Sequence, residues 1–163
     1  MNSLILNVLL LLFINLGFEA ISQVEDGLPS SKPNMVKSST NFQNVPPELK
    51  AKTIKFFNSL IDNKVSNAYD DFLFGTPLGK KIDDVTNLKK QTTRAFELYG
   101  VLKGYDPVNF EMIGASFIRI RYLGLHTRFP MRWIFTYYKS PEQGWIVTNI
   151  KFDDLSDFFF EDN

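Results

Sequence analysis

The residues best suited to chemistry sit in one strand-like run. Residues 116–125 alternate, with Ile118, Ile120 and Tyr122 on one side and Arg119, Arg121 and Leu123 on the other. A period of two places the Arg119 and Arg121 guanidiniums on one face, where two planar forks can grip a carboxylate or phosphate. The same spacing also describes a solvated strand face whose arginines pair with neighbouring strands, the commoner use of surface arginine. Aromatic groups come next. Tyr69, Tyr99 and Tyr138 carry hydroxyl donors, and Trp133 offers a broad face for stacking, although aromatic stripes more often build core. The single histidine, His126, stands beside Thr127 and Arg128 at a strand end, a position that suits a hydrogen-bonding residue better than a catalytic one.

Much chemistry is absent. The chain has no cysteine, which removes thiolate nucleophiles, zinc–thiolate and iron–sulfur sites, and disulfides. It contains no glycine-rich phosphate loop, nucleophile elbow or His-Glu-x-x-His motif. Asp153, Asp154 and Asp157 lack the ligand spacing and turn glycine of a calcium loop. No catalytic residue, metal or cofactor is therefore assigned. Eighteen basic residues balance eighteen acidic ones. The pairs Lys80-Lys81 and Lys89-Lys90 are too sparse for a nucleic-acid surface, so none is expected as a partner.

The N-terminus sets the expected compartment. Leu4-Ile5-Leu6 and residues 8–14 form an apolar run broken by Asn7, and small residues follow at Ala20 and Ser22. This is the pattern of a secretory signal over residues 1–22, cut after Ala20 or Ser22. The run is short of the roughly 20 apolar residues that a membrane span uses, and its start has no Lys or Arg. Removal of Glu19 with the signal leaves a net charge of about +1. The expectation is a secreted or periplasmic protein with no stable membrane anchor after cleavage. Residues 23–45 are rich in Ser, Asn, Lys and Pro and are expected to be a flexible linker. In the alternative, Met35, Val36 and Phe42 dock as an irregular strap. Either way the domain is expected to span residues 46–163.

Its elements follow from period and punctuation. Pro47 and Glu48 suit a helix start, and Ile54, Phe57 and Ile61, widened by Phe56 and Leu60, predict a helix to about Asn63. Val65, Ala68, Tyr69 and Phe72 predict a second, ending at Gly75. Val85, Leu88, Thr92, Ala95, Phe96 and Tyr99 predict a third, capped by Asp83 or Asp84 and closed by Gly100. Strands are expected at residues 101–113, interrupted at Asp106-Pro107, and at 116–125, 131–139 and 145–152. Turn residues 140–144 make the last two a hairpin. Strand 131–139 is apolar on both faces: Met131, Trp133, Phe135 and Tyr137 on one, Ile134 and Tyr138 on the other. Its second face is therefore expected to be covered by the linker, a partner subunit or a ligand. The aromatic cluster Phe158-Phe159-Phe160 in an acidic setting suits a docked tail.

Three helices followed by a meander of strands resemble the NTF2-like (cystatin-like α+β) superfamily. The likeness covers residues 47–152 and rests on element order, the Tyr99-Gly100-Val101 helix exit, and a last hairpin running from Trp133 to Gly144-Trp145. It implies an α+β fold, with three N-terminal helices on a curved, mainly antiparallel sheet of four or more strands. In that superfamily the sheet wraps a helix and leaves a cone-shaped pocket. Members include isomerase- and dehydratase-like enzymes and many non-catalytic binding domains, so fold alone does not choose a function. No Asp or Glu here aligns with the isomerase base, and His126 alone does not make the dehydratase pair. The expected role is binding of a small ligand or protein partner, with a homodimer through the sheet as a further arrangement. Arg119, Arg121, Tyr69, Tyr99, Trp133 and Tyr138 are the candidate binding residues. The alternative is an isomerase- or lyase-type pocket enzyme.

Overall fold

In the computed structural model, which describes residues 38–160, Pro47 opens helix α1 (Pro47–Ile61) with Glu48 in its first turn. The missing amide of Pro47 costs nothing there, and the Glu48 carboxylate suits the positive helix end. The expected signal sequence and linker residues 23–37 lie outside the described residues. The buried stripe of α1 is Leu49, Thr53, Phe56, Phe57 and Leu60. It is rotated from the expected one: Ile54 faces water at 45% exposure. The adjacent Phe56 and Phe57 both seek the core, and they fix the helix's rotation. Helix α2 (Val65–Leu73) buries Ala68, Tyr69, Phe72 and Leu73, and α3 (Ile82–Tyr99) buries Val85, Thr92, Ala95 and Phe96. Asp83 and Asp84 do not cap α3. The N-cap position is Lys81, without a side-chain bond, and both carboxylates instead sit in the first turn, where they favour the helix dipole.

Four strands form one open antiparallel sheet in sequence order: β1 (Leu102–Ile113), β2 (Phe117–His126), β3 (Met131–Ser140) and β4 (Gly144–Asp153). The fold is α+β, with three helices packed on that sheet. β1 is continuous through Asp106-Pro107. The expected interruption appears as a register shift between Pro107 and Asn109, tolerable because β1 is an edge strand. The register puts Phe110, Met112, Ile118, Ile120, Tyr122, Trp133, Phe135, Tyr137 and Ile150 on the inner face.

Phe56 and Phe57 are the keystones of the core. Phe56 lies 4.8 Å from the Phe72 ring, 5.5 Å from Phe135 and 5.9 Å from Trp133. Phe57 stacks on Tyr105 at 4.3 Å and meets Tyr122, Trp133 and Phe135 edge-on. Phe152 stacks on the other side of Trp133 at 4.7 Å. Gly124 makes room for this ring, because a Cβ there would lie 2.8 Å from the indole nitrogen.

Residues 38–45 belong to this packing, with Phe42 docked as in the strap alternative; Met35 and Val36 lie outside the described residues. Ser39 and Phe110 exchange two backbone hydrogen bonds of 2.9 Å. Phe42 reaches the Phe110 and Tyr122 rings, and Val45 is fully buried. A few apolar anchors in a polar stretch hold it as a strap along the β1 edge.

Phe57→Ala is expected to remove about 3–5 kcal/mol of stability, a large share of the roughly 5–15 kcal/mol typical of a domain. Urea unfolding checks this: the midpoint falls with little change in slope.

Candidate functional site

Two of the buried tyrosines, Tyr69 and Tyr137, are held by one device used twice. Thr53 of α1 donates its hydroxyl to the Leu49 carbonyl at 2.8 Å, so its oxygen is left to accept from the Tyr137 hydroxyl at 2.6 Å. Thr92 of α3 donates to the Leu88 carbonyl at 2.9 Å and accepts from the Tyr69 hydroxyl at 2.8 Å. A threonine has one proton to give, which fixes both directions. Each tyrosine proton is therefore committed to a helix. Burial pushes both phenols well above their ordinary range, and burial pushes Tyr122 up to about 12. The Tyr69 and Tyr137 hydroxyls stay protonated and spoken for.

The candidate residues do not converge. Tyr69 and Trp133 are core residues, both fully buried. Tyr99 stands at the end of α3, where its hydroxyl donates to Asp154 at 2.7 Å, and this bond to a carboxylate raises its pKa. Tyr138, Arg119 and Arg121 lie on the outer face of the sheet, away from the helices. The arginines thus do not line an interior pocket. Among the described residues, the buried polar side chains are four threonines, with no buried carboxylate beside a tyrosine. Among the same residues, no group of three or more His, Asp or Glu is placed to hold a metal ion.

The outer face is organised by charge. Arg121 donates to Asn109 at 3.0 Å and to Glu111 at 2.9 Å, while Arg119 reaches the other Glu111 oxygen at 3.7 Å. Arg132 grips Asp153 through two bonds of 3.0 and 2.9 Å. Beside these pairs lies an open groove of about 450 Å³, lined by Phe117, Arg119, Ile134, Thr136, Thr148, Asn149 and Lys151. It combines two cations, three hydrogen-bonding side chains and two apolar ones, with no acid. Lys151 makes no ion pair among the described residues. The inner-face ring contacts of the helices and of Phe42 leave this side alone, so the expected cover by the linker is not found among the described residues.

No family model, curated protein or solved structure matches this chain. Among the described residues, no helix is long and apolar enough to cross a membrane.

Sequence reasoning missed Lys151 and Asn149, which only cross-strand register brings near Arg119, and Phe117, which shares the Arg119 face two residues earlier on β2. The one available signal was parity: Ile118 and Ile120 alternate with the arginines, and the apolar side must face the helices.

His126 closes the other end of the sheet. Its Nδ1–H donates to the Gly100 carbonyl at 2.8 Å, and its ring meets Phe96 edge-on. Gly100 has φ +88°, and a Cβ there would strike the Thr127 hydroxyl, so this helix exit requires glycine. Nε2 of His126 is buried with no hydrogen-bond partner among the described residues, and burial pulls the imidazole below its ordinary range against the lesser pull of Gly100. Arg128, which donates to the Phe96 and Glu97 carbonyls, adds a cation nearby.

Two measurements follow. Tyr69→Phe is expected to cost only about 1 kcal/mol, because Thr92 keeps its Leu88 bond; thermal unfolding reads it. For His126, the folded pKa lies below the unfolded one. The unfolded chain therefore binds more protons at mildly acid pH, and stability is lost as pH falls below about 6.5. His126→Asn is expected to flatten that part of the stability profile, measured by urea unfolding across pH.

Proposed function

We propose that this is an exported, non-catalytic binding domain of NTF2-like type, which receives an acidic segment of a protein partner on the outer face of its sheet. The observation that carries the reading is the open groove that Arg119 and Lys151 line together with Phe117 and Ile134. An uncovered sheet face with apolar side chains beside cations suits a segment carrying carboxylates and apolar side chains. Thr136, Thr148 and Asn149 add polar groups for an extended backbone.

The filled interior supports the same reading. Where a ligand-binding cone would hold space, Phe56, Phe57, Trp133 and Phe152 pack ring against ring. The isomerase- or lyase-type alternative needs a carboxylate near a free tyrosine hydroxyl. Tyr69 and Tyr137 give their protons to threonines, and the described residues bury no such carboxylate. The element order of three helices and a four-stranded meander supports the NTF2-like assignment. The apolar run of residues 4–14 supports export.

A synthetic peptide of alternating glutamate and phenylalanine tests the site. In ¹⁵N NMR it is expected to shift amides of Phe117, Arg119, Ile134, Asn149 and Lys151, and Arg119→Glu is expected to weaken binding about tenfold. Shifts confined to the helices, or equal binding of a lysine–phenylalanine peptide, would overturn the reading.

A further inference from the structure

We infer that the acidic, aromatic segment following β4 docks in the outer groove of a second copy of this chain. The inference rests on the reading of that groove as a site for an acidic protein segment, and it names the segment.

The segment has the complementary chemistry. From Asp153 it reads Asp-Asp-Leu-Ser-Asp-Phe-Phe-Phe, and Glu161 and Asp162 follow. Its acids answer Arg119 and Lys151, and its aromatic rings answer Phe117 and Ile134. It also has groups to spare. Phe160 is 85% exposed and Leu155 48% exposed, an arrangement typical of a surface awaiting a partner. Asp157 is exposed and makes no ion pair among the described residues.

The segment's path directs it to another molecule. Arg132 holds the Asp153 carboxylate through two bonds, and Asp153 in turn accepts from the Leu155 amide at 3.1 Å. The next residue, Asp154, is bound by the hydroxyl of Tyr99 on α3. Helix α3 belongs to the helical layer, so the chain leaves the sheet toward the helices and enters a short 3-10 turn, Ser156–Phe159. The groove opens on the opposite side, centred about four residues back along β4, or roughly 13 Å at strand rise. The two complementary surfaces of one molecule thus face different ways, and a second copy brings them together. Reciprocal exchange of two such segments closes a two-fold dimer.

Sedimentation velocity on the full chain tests this, with circular dichroism confirming that each variant is folded. The wild-type chain is expected to self-associate and to saturate at two copies. Lys151→Glu and Asp157→Lys, both at exposed positions, are each expected to weaken association at least about tenfold. Mixing the two variants is expected to restore it, because every groove then meets a segment of opposite charge. A labelled peptide of residues 153–162 is expected to bind the wild-type chain and to lose affinity for Lys151→Glu. A wild-type chain that stays monomeric, or association indifferent to both substitutions, would overturn the inference. If the glutamate–phenylalanine peptide still binds the groove in that case, the binding-domain reading stands and only the self-docking falls. If it too fails to bind, both fall.

Discussion

The packing of Phe56 and Phe57 against Trp133 and Phe135 is the contact on which the rest of the molecule depends. Two adjacent aromatic residues on a helix point about 100° apart, so a helix that buries both must lie deep against a wide apolar surface. The inner sheet face supplies that surface. Phe57 touches rings from β1, β2 and β3, and so fastens three strands at one point. Phe56 adds α2 through Tyr69 and Phe72. In a chain without cysteine, this interdigitation holds the layers without covalent cross-links.

The same contact determines where function can reside. A dense aromatic interior leaves little room for substrate; the Tyr69 and Tyr137 hydroxyls that enter it are satisfied, and the Trp133 indole nitrogen is buried without a hydrogen-bond partner among the described residues. Thr53 and Thr92 show how this is managed: each back-bonds to its own helix and presents a lone pair to a tyrosine. A buried phenol without such a partner would cost about 1–3 kcal/mol. These bonds are explained by the demands of burial alone. The remaining polar investment is at the periphery, in the outer-face ion pairs and the loop at residues 126–129 that satisfies the end of α3.

Much of this architecture was legible in the sequence. Helical spacing in residues 82–99 and the glycine after Tyr99 located α3, and strict alternation at Ile118-Arg119-Ile120-Arg121 located β2. What period could not supply was contact between distant segments. Phe42 and Val45 are isolated apolar residues without a repeat, so the sequence offered docking of Phe42 only as an alternative to a flexible linker and did not single out Val45. Pro107 looked like a break because the sequence does not say which strands lie at an edge. Arg119 and Arg121 share a face by parity, but their neighbours are set by register. Glu111, Thr136 and Asn149 come into line only when four strands are hydrogen-bonded. Trp133 and Tyr69 misled for a related reason: a large aromatic residue looks the same in sequence whether it lines a cavity or fills one.

The outer face illustrates how charge separates binding from catalysis. Catalytic groups gain their leverage in sites that exclude water and hold dipoles fixed toward a reacting atom. Arg119 is about half exposed and shares Glu111 with Arg121 in an open groove. There, water screens its field and the groove can adapt to what lies on it. Such a surface attracts and orients an anionic partner more than it stabilises a transition state. Phe117 and Ile134 complete the argument. Apolar side chains beside cations contribute little to the free domain, and any cover that excludes water from them strengthens the neighbouring charge contacts. The interior behind that face is filled, with Phe56 and Phe57 packed on Trp133 and Phe135.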